Sequence, residues 1–154
     1  MKWSQLADQP CSVARSVAVI GDRWTLMLLR DAFLGIRRFD DFERRLGISR
    51  SIIADRLKHL VDEGVLRREA YQENPVRHEY RLTDKGRDLF PIVVALMDWG
   101  DRWALAADGP PVEVRHRDCD GRVHAKLTCE HGHTDLSARD TYGAPGAAPR
   151  ELAG

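Results

Sequence analysis

The 154-residue sequence predicts an α+β fold, mainly helical, in which a helix–turn–helix pair precedes a two-stranded ribbon and a further long helix. Three observations predict it. Apolar residues recur at helical spacing in four stretches between residues 12 and 63, with glycine, aspartate or serine at the breaks. The period changes to two over residues 65–82, around a polar segment that contains Pro75. A helical period returns from residue 84, and Pro110-Pro111 closes it.

Each element has its own local reasons. The first helix, Ser12–Ile20, puts Val13, Val17 and Ile20 at helical spacing, with Pro10 ahead of it and Ser12 as the expected N-cap. Asp22 caps a second helix over 23–34, where Trp24, Leu28 and Ala32 form a row that Met27 and Leu29 widen. A short third helix, Phe39–Leu46, turns Phe39, Phe42 and Leu46 inward and Asp40, Asp41, Glu43, Arg44 and Arg45 outward. Gly47 supplies a left-handed turn residue, and Ser49 caps a fourth helix that runs to about residue 63. At about 100° per residue, Ile53, Leu57, Leu60 and Val61 make one stripe. Ser51, Asp55, Lys58 and Asp62 lie opposite, Ala54 and His59 flank them, and Arg50 stands in the first turn.

Strands are expected over 65–71 and 78–82, joined by a loop at 72–77 with Arg77 near its tip. Thr83 caps a long helix over 84–106, which Pro91 kinks or divides. Ile92, Ala95, Leu96, Trp99, Trp103 and Ala106 form its apolar row. Residues 112–129 read as a short β-hairpin. The expected organisation is residues 1–109 as one domain, 110–140 as a hairpin extension and 141–154 as a disordered tail.

Composition excludes several classes. At 43% hydrophobic the chain can bury a core, and at 31% charged it has no apolar run near the roughly 20 residues that span a bilayer. Lysine plus arginine (24) equals aspartate plus glutamate (24), yet residues 37–87 carry thirteen basic and ten acidic side chains. Residues from 88 onward carry seven and eleven, so a polyanion would be met by the middle of the chain. The opening MKWSQLADQPCS lacks the apolar core of a signal peptide, and three cysteines make no disulfide framework, which together read as cytoplasmic. No phosphate-binding glycine loop or nucleophile-and-base pair is visible, so neither an enzyme nor a cofactor is expected.

The order of elements is that of a winged helix-turn-helix. Residues 39–63 meet its requirement for a short helix, a tight glycine turn and a second helix with an exposed polar N-terminal face. That arrangement serves nucleic-acid binding or, alternatively, a protein-interaction module without sequence-specific DNA binding. The runs IGDRWT, RRFDDFERRLGIS, RHEYRLTDKG and MDWGDRW go further. Over residues 11–103 the sequence resembles the HxlR-type winged-helix transcriptional regulators, distant relatives of the MarR type.

The resemblance implies a homodimeric regulator of double-stranded DNA without enzymatic activity. Its dimer interface would use the first and last helices, here Val13, Val17, Ile92, Leu96, Trp99 and Trp103. A pseudo-palindromic operator and repression are expected, with control by a small-molecule effector or by thiol oxidation. In the implied recognition helix, Ser49, Arg50, Ser51, Ala54 and Lys58 take the positions that face DNA. Arg50 suits either a bidentate contact to guanine or a phosphate. Lys58 and Arg38 suit phosphates, Arg77 a phosphate or the minor groove, and Arg56 a brace to Asp22 or Asp31.

Trp24, Met97, Trp99 and Trp103 read first as core and second as the wall of a ligand pocket. Cys11, ahead of the first helix, is either a redox sensor favoured by the helix dipole or a small buried apolar residue. Cys119, Cys129, His131 and His133 have ligand chemistry for zinc, but not the usual ribbon spacing. A metal-free hairpin is the alternative, and no bound metal is expected.

Overall fold

α1 (Ser12–Ile20), α2 (Arg23–Phe33), α3 (Phe39–Leu46) and α4 (Arg50–Asp62) follow one another through short turns in the computed structural model. It describes residues 6–104 and 109–146. Local chemistry sets these helices. The Asp22 carboxylate accepts the Trp24 and Thr25 N–H groups at 3.0 and 3.2 Å, capping α2. Gly47 ends α3 at φ 61°, where an L side chain would strain the backbone, and Ser49 caps α4. At α1 the cap differs from expectation. The Arg15 N–H bonds the Cys11 carbonyl at 3.1 Å, so the ladder begins one residue earlier and Cys11, not Ser12, is the N-cap, without a side-chain cap bond.

β1 (Leu66–Glu73) and β2 (Val76–Leu82) pair antiparallel, with Leu66 opposite Leu82 and Glu73 opposite Val76. The expected loop at 72–77 is therefore mostly strand, and only Asn74 and Pro75 turn the chain. Both faces of the ribbon's outer half meet solvent, so pairing there demands no apolar alternation that the sequence could display. Short extended backbone ahead of α3 adds to the sheet. Arg38 bridges Glu79, and the Tyr80 N–H donates to the Arg37 carbonyl at 2.7 Å, which ties the ribbon to the start of α3.

The expected long helix is two. Thr83 caps α5 (Asp84–Arg87), Asp88 and Leu89 intervene, and α6 (Phe90–Trp103) has Pro91 in its first turn, where a missing N–H breaks no ladder bond. Gly86 lets α5 lie against the end of β1's approach: a Cβ there would sit 2.2 Å from the Val65 carbonyl oxygen. Ala106 lies outside the described residues.

The core gathers one face of most elements: Ile20 of α1, Leu28 and Leu29 of α2, Phe42 of α3, Ile53, Leu57 and Leu60 of α4, Leu66 of β1 and Val93 of α6, with Tyr80 and Leu82 of β2 packed against it. Two polar side chains, Thr25 and Asp31, are buried with them. The chain divides into a unit Met1–Pro110, described so far, and a unit Pro111–Gly154.

In the second unit the expected hairpin over 112–129 is shortened to the pairing of 114–116 with 121–123, and a second short reversal follows it. One turns at residues 116–121, where Arg115 bridges Arg122; the other turns at 129–133, where the Leu136 N–H reaches the Leu127 carbonyl. Left-handed residues Asp120 (φ 54°) and Gly132 (φ 84°) reverse the chain at each place, too tightly for one long pairing. A single 3-10 turn, Ala138–Asp140, follows, and residues 141–146 have no regular structure. Residues 147–154 of the expected tail lie outside the described residues. Among the described residues no helix is long and apolar enough to cross a membrane.

Candidate nucleic-acid interface

α4 is held from one side and open on the other. Ile53, Leu57 and Leu60 are fully buried, while Arg50, Ser51, Ala54, Asp55, Lys58 and Asp62 are exposed. The Gly47 turn fixes where the helix starts, and the Ser49 hydroxyl lies 3.2 Å from that of Ser51. His59 faces away from this surface: its Nε2 pairs with the Val19 carbonyl at 2.9 Å and ties α4 to α1. Arg56 lies 3.2 Å from Asp22, one of the two braces expected for it. Asp31, the other, is taken by Arg30 at 2.7 Å and Arg45 at 3.3 Å, and its second carboxylate oxygen is buried without a partner.

Both cations on the exposed face of α4 stand beside carboxylates of the chain itself. Arg50 Nη1 is 3.2 Å from Asp40 and in contact with Glu43, and the guanidinium lies 4.6 Å over the Phe39 ring. Lys58 Nζ is 2.5 Å from Asp62, one helical turn on.

The ribbon side differs. A cleft of about 580 Å³ between α3 and the ribbon is lined by Arg38, Arg44, Arg68, Tyr71, Arg77 and Tyr80, among others. Arg44 pairs with Asp41, and Arg68 donates to His78 Nδ1 at 2.9 Å. The Arg38 guanidinium rests 4.5 Å from the Tyr71 ring centre. Neither Arg38 nor Arg77 forms an ion pair among the described residues. Deeper along the ribbon, Arg67 and Arg81 flank Glu69. A hydrogen bond from Arg67, reinforced by the charges of Arg67, Arg81 and Arg37, holds the Glu69 carboxyl below its ordinary value.

α6 buries Val93 and Val94 but leaves Ile92, Leu96, Trp99 and Trp103 exposed along its outer side, the two tryptophans at 63% and 68%. Of the aromatic set read first as core, Met97 packs against the core and Trp24 is half-buried, whereas Trp99 and Trp103 are not core within one chain. On α1, Val13 is 70% exposed and Val17 half-buried. Within one chain Cys11 is exposed.

In the second unit each cysteine pairs with one histidine. His116 Nδ1 lies 3.3 Å from Cys119 Sγ, and His133 Nδ1 lies 3.1 Å from Cys129 Sγ. The set Cys119, Cys129, His131 and His133 is not brought together, and no three potential ligands gather as a metal site among the described residues. Each turn instead closes on its own neighbour in sequence.

Sequence reading missed three features of this surface. The Arg38–Glu79 bridge comes from a segment too short to show a period. Asp31 had a visible signal, a charged residue three positions beyond Leu28 on the apolar stripe of α2. The carboxylate partners of Arg50 had none, because they lie across the helix–helix turn.

The family model of the HxlR-like helix-turn-helix matches residues 19–108. The chain belongs to the HxlR-like helix-turn-helix family. An uncharacterised HTH-type transcriptional regulator of Mycobacterium tuberculosis strain H37Rv is 44% identical over 135 residues, 88% of this chain and 85% of the relative. Among solved structures, PA1607, a candidate transcription factor, superposes with a TM-score of 0.82 at 39% identity, over 93% of this chain and 99% of that one. The redox regulator HypR in its reduced form gives a TM-score of 0.57 at 33% identity, over 60% of this chain and 92% of that one. This HxlR-like protein is thus a DNA-binding transcriptional regulator of the helix-turn-helix type, built on a winged-helix fold.

Proposed function

We propose that the protein is a cytoplasmic homodimeric repressor that acts by binding a pseudo-palindromic operator, and not by catalysis. The observation that carries the dimer is the division of α6. One side is core, while Ile92, Leu96, Trp99 and Trp103 form an apolar row open to solvent. A contiguous row of large apolar side chains marks an interaction surface, and a second copy offers the same row together with Val13 and Val17 of α1. Two α4 helices in successive major grooves would then lie about 34–36 Å apart. Ser49, Arg50, Ser51 and Ala54 would read base edges, with Lys58, Arg38 and Arg77 on phosphates. Repression is the simplest outcome, since a bound dimer occludes the DNA it covers.

In this reading residues 1–109 bind DNA and dimerise, with residues 110–140 an appendage. Control would come from a small-molecule effector or from oxidation of Cys11, which is exposed at the N-cap of α1 and so open to oxidants. HypR, a redox regulator of the same fold, supports the thiol route. The test is light scattering for mass, with a gel shift on the intergenic DNA upstream of the protein's own gene. A dimer that shifts this DNA, and becomes monomeric and inactive in Trp99→Glu, is expected. A wild type that shifts no duplex even at low salt would leave the protein-interaction module as the better reading.

A further inference from the structure

We propose that Glu43 and Asp40 on α3 are specificity-determining positioning residues that act through Arg50. The inference rests on the operator-reading role of α4. Arg50 is the first residue of α4, and its side chain folds back across the Gly47 turn onto α3. Three groups hold it there. Asp40 Oδ1 is 3.2 Å from Nη1, Glu43 contacts the same nitrogen, and the Arg50 Cζ lies over the Phe39 ring, 4.6 Å from its centre. Both carboxylates therefore occupy one corner of the fork. The opposite edge, Nε with Nη2, keeps the two parallel donors that match guanine O6 and N7. The aromatic ring below supports the plane, so an arginine that would otherwise sample many rotamers presents its donor edge in one orientation.

The same carboxylates decide what Arg50 does not do. Arg50 with Asp40 and Glu43 carries one net negative charge, so this corner of the surface offers no gain from neutralising a phosphate. An arginine freed from them would take a phosphate on any sequence. Glu43, the more buried of the two at 33% side-chain exposure against 72%, is the firmer hold. Asp40 and Glu43 thus spend general affinity to keep Arg50 a base reader.

The test is in vitro selection from a random duplex pool, followed by anisotropy titration of the selected duplex and a scrambled one over a salt series. The full chain is used as wild type, Glu43→Gln, Asp40→Asn, Arg50→Ala and the Glu43→Gln/Arg50→Ala double variant. Glu43→Gln should bind the scrambled duplex more tightly, steepen the salt slope by nearly one unit and lower discrimination by about tenfold. Asp40→Asn should do the same to a lesser degree. In the Arg50→Ala background the loss of discrimination caused by Glu43→Gln should vanish, leaving only the sequence-independent gain from removing a bare carboxylate, which a merely structural role of Glu43 would not produce. A Glu43→Gln protein that keeps wild-type discrimination, or that loses discrimination equally with and without Arg50, overturns the proposal. A wild type that selects no motif overturns the operator reading and this proposal with it, whereas a motif that both carboxylate variants leave intact overturns this proposal alone.

Discussion

The exposed face of α4 and the cleft between α3 and the ribbon meet at Asp40 and both present cations, but they dispose of them differently. On α4, Arg50 stands beside Asp40 and Glu43, and Lys58 beside Asp62. In the cleft, Arg38 rests on the Tyr71 ring and Arg77 lines the wall, and neither has a carboxylate partner among the described residues. A cation already paired must give up its partner before it can neutralise a phosphate, so most of the gain cancels. An unpaired arginine releases counterions at full value. On the proposed operator reading this difference would divide the work: the cleft would supply salt-dependent affinity, and α4 orientation and sequence.

The sharpest way to break this division is to remove the unpaired cations. Arg38→Ala with Arg77→Ala should lower the salt slope of duplex binding by nearly two units, at roughly 0.9 per phosphate contact. Affinity should fall alike for the selected and the scrambled duplex, and the selected motif should stay the same. Anisotropy between low and physiological salt measures the slope. A changed motif with an unchanged slope would mean that the cleft reads sequence and α4 does not.

A smaller effect is expected from the paired cation. Lys58→Ala should lower the slope by well under one unit, because Asp62 loses its partner at the same time and then faces the phosphates alone. Lys58→Ala with Asp62→Asn should bring the slope back close to that of wild type. If Lys58→Ala alone costs as much as either cleft arginine, the pair with Asp62 does not persist in solution and the contrast between the two regions narrows.

How much of this was legible in the sequence follows from the range of each interaction. The α4 stripe of Ile53, Leu57 and Leu60, the left-handed Gly47 and the caps by Asp22, Ser49 and Thr83 are local, and all appear as expected. The outer half of the ribbon was hidden because both its faces are wet and no alternation marks it. The division of the last helix was half legible: Pro91 marked the place but could equally have kinked a continuous helix. Charge pairing was the least legible. Arg50 meets residues seven and ten positions back, a geometry set by how α3 crosses α4 and not by any spacing within a helix.

The smallest effect concerns the ribbon's own ion cluster, which lies outside the division just drawn and sets its background. Glu69 titrates below its ordinary value of 4.5, chiefly through the Arg67 hydrogen bond and then the charges of Arg67, Arg81 and Arg37. A carboxyl whose folded pKa is depressed adds stability above its unfolded value, and loses it as pH falls through the folded one. The contribution is therefore whole at neutral pH and disappears only in acid, below 4.5. Because the group is exposed, solvent and salt screen it, and the melting temperature of the whole chain should hardly register the loss. Carbon-detected NMR of the Glu69 carboxyl can resolve it. The midpoint should lie below 4.5 in wild type and return towards 4.5 in Arg67→Ala or in about 1 M salt, where the screening length shrinks to roughly 3 Å. A Glu69 that titrates at 4.5 or higher in wild type would show that the cluster does not hold in solution. Arg67 would then join Arg38 and Arg77 as a cation free for phosphate, while Arg81 keeps Glu79 at 2.5 Å, and the ribbon, not the cleft alone, would carry the salt-dependent part of binding.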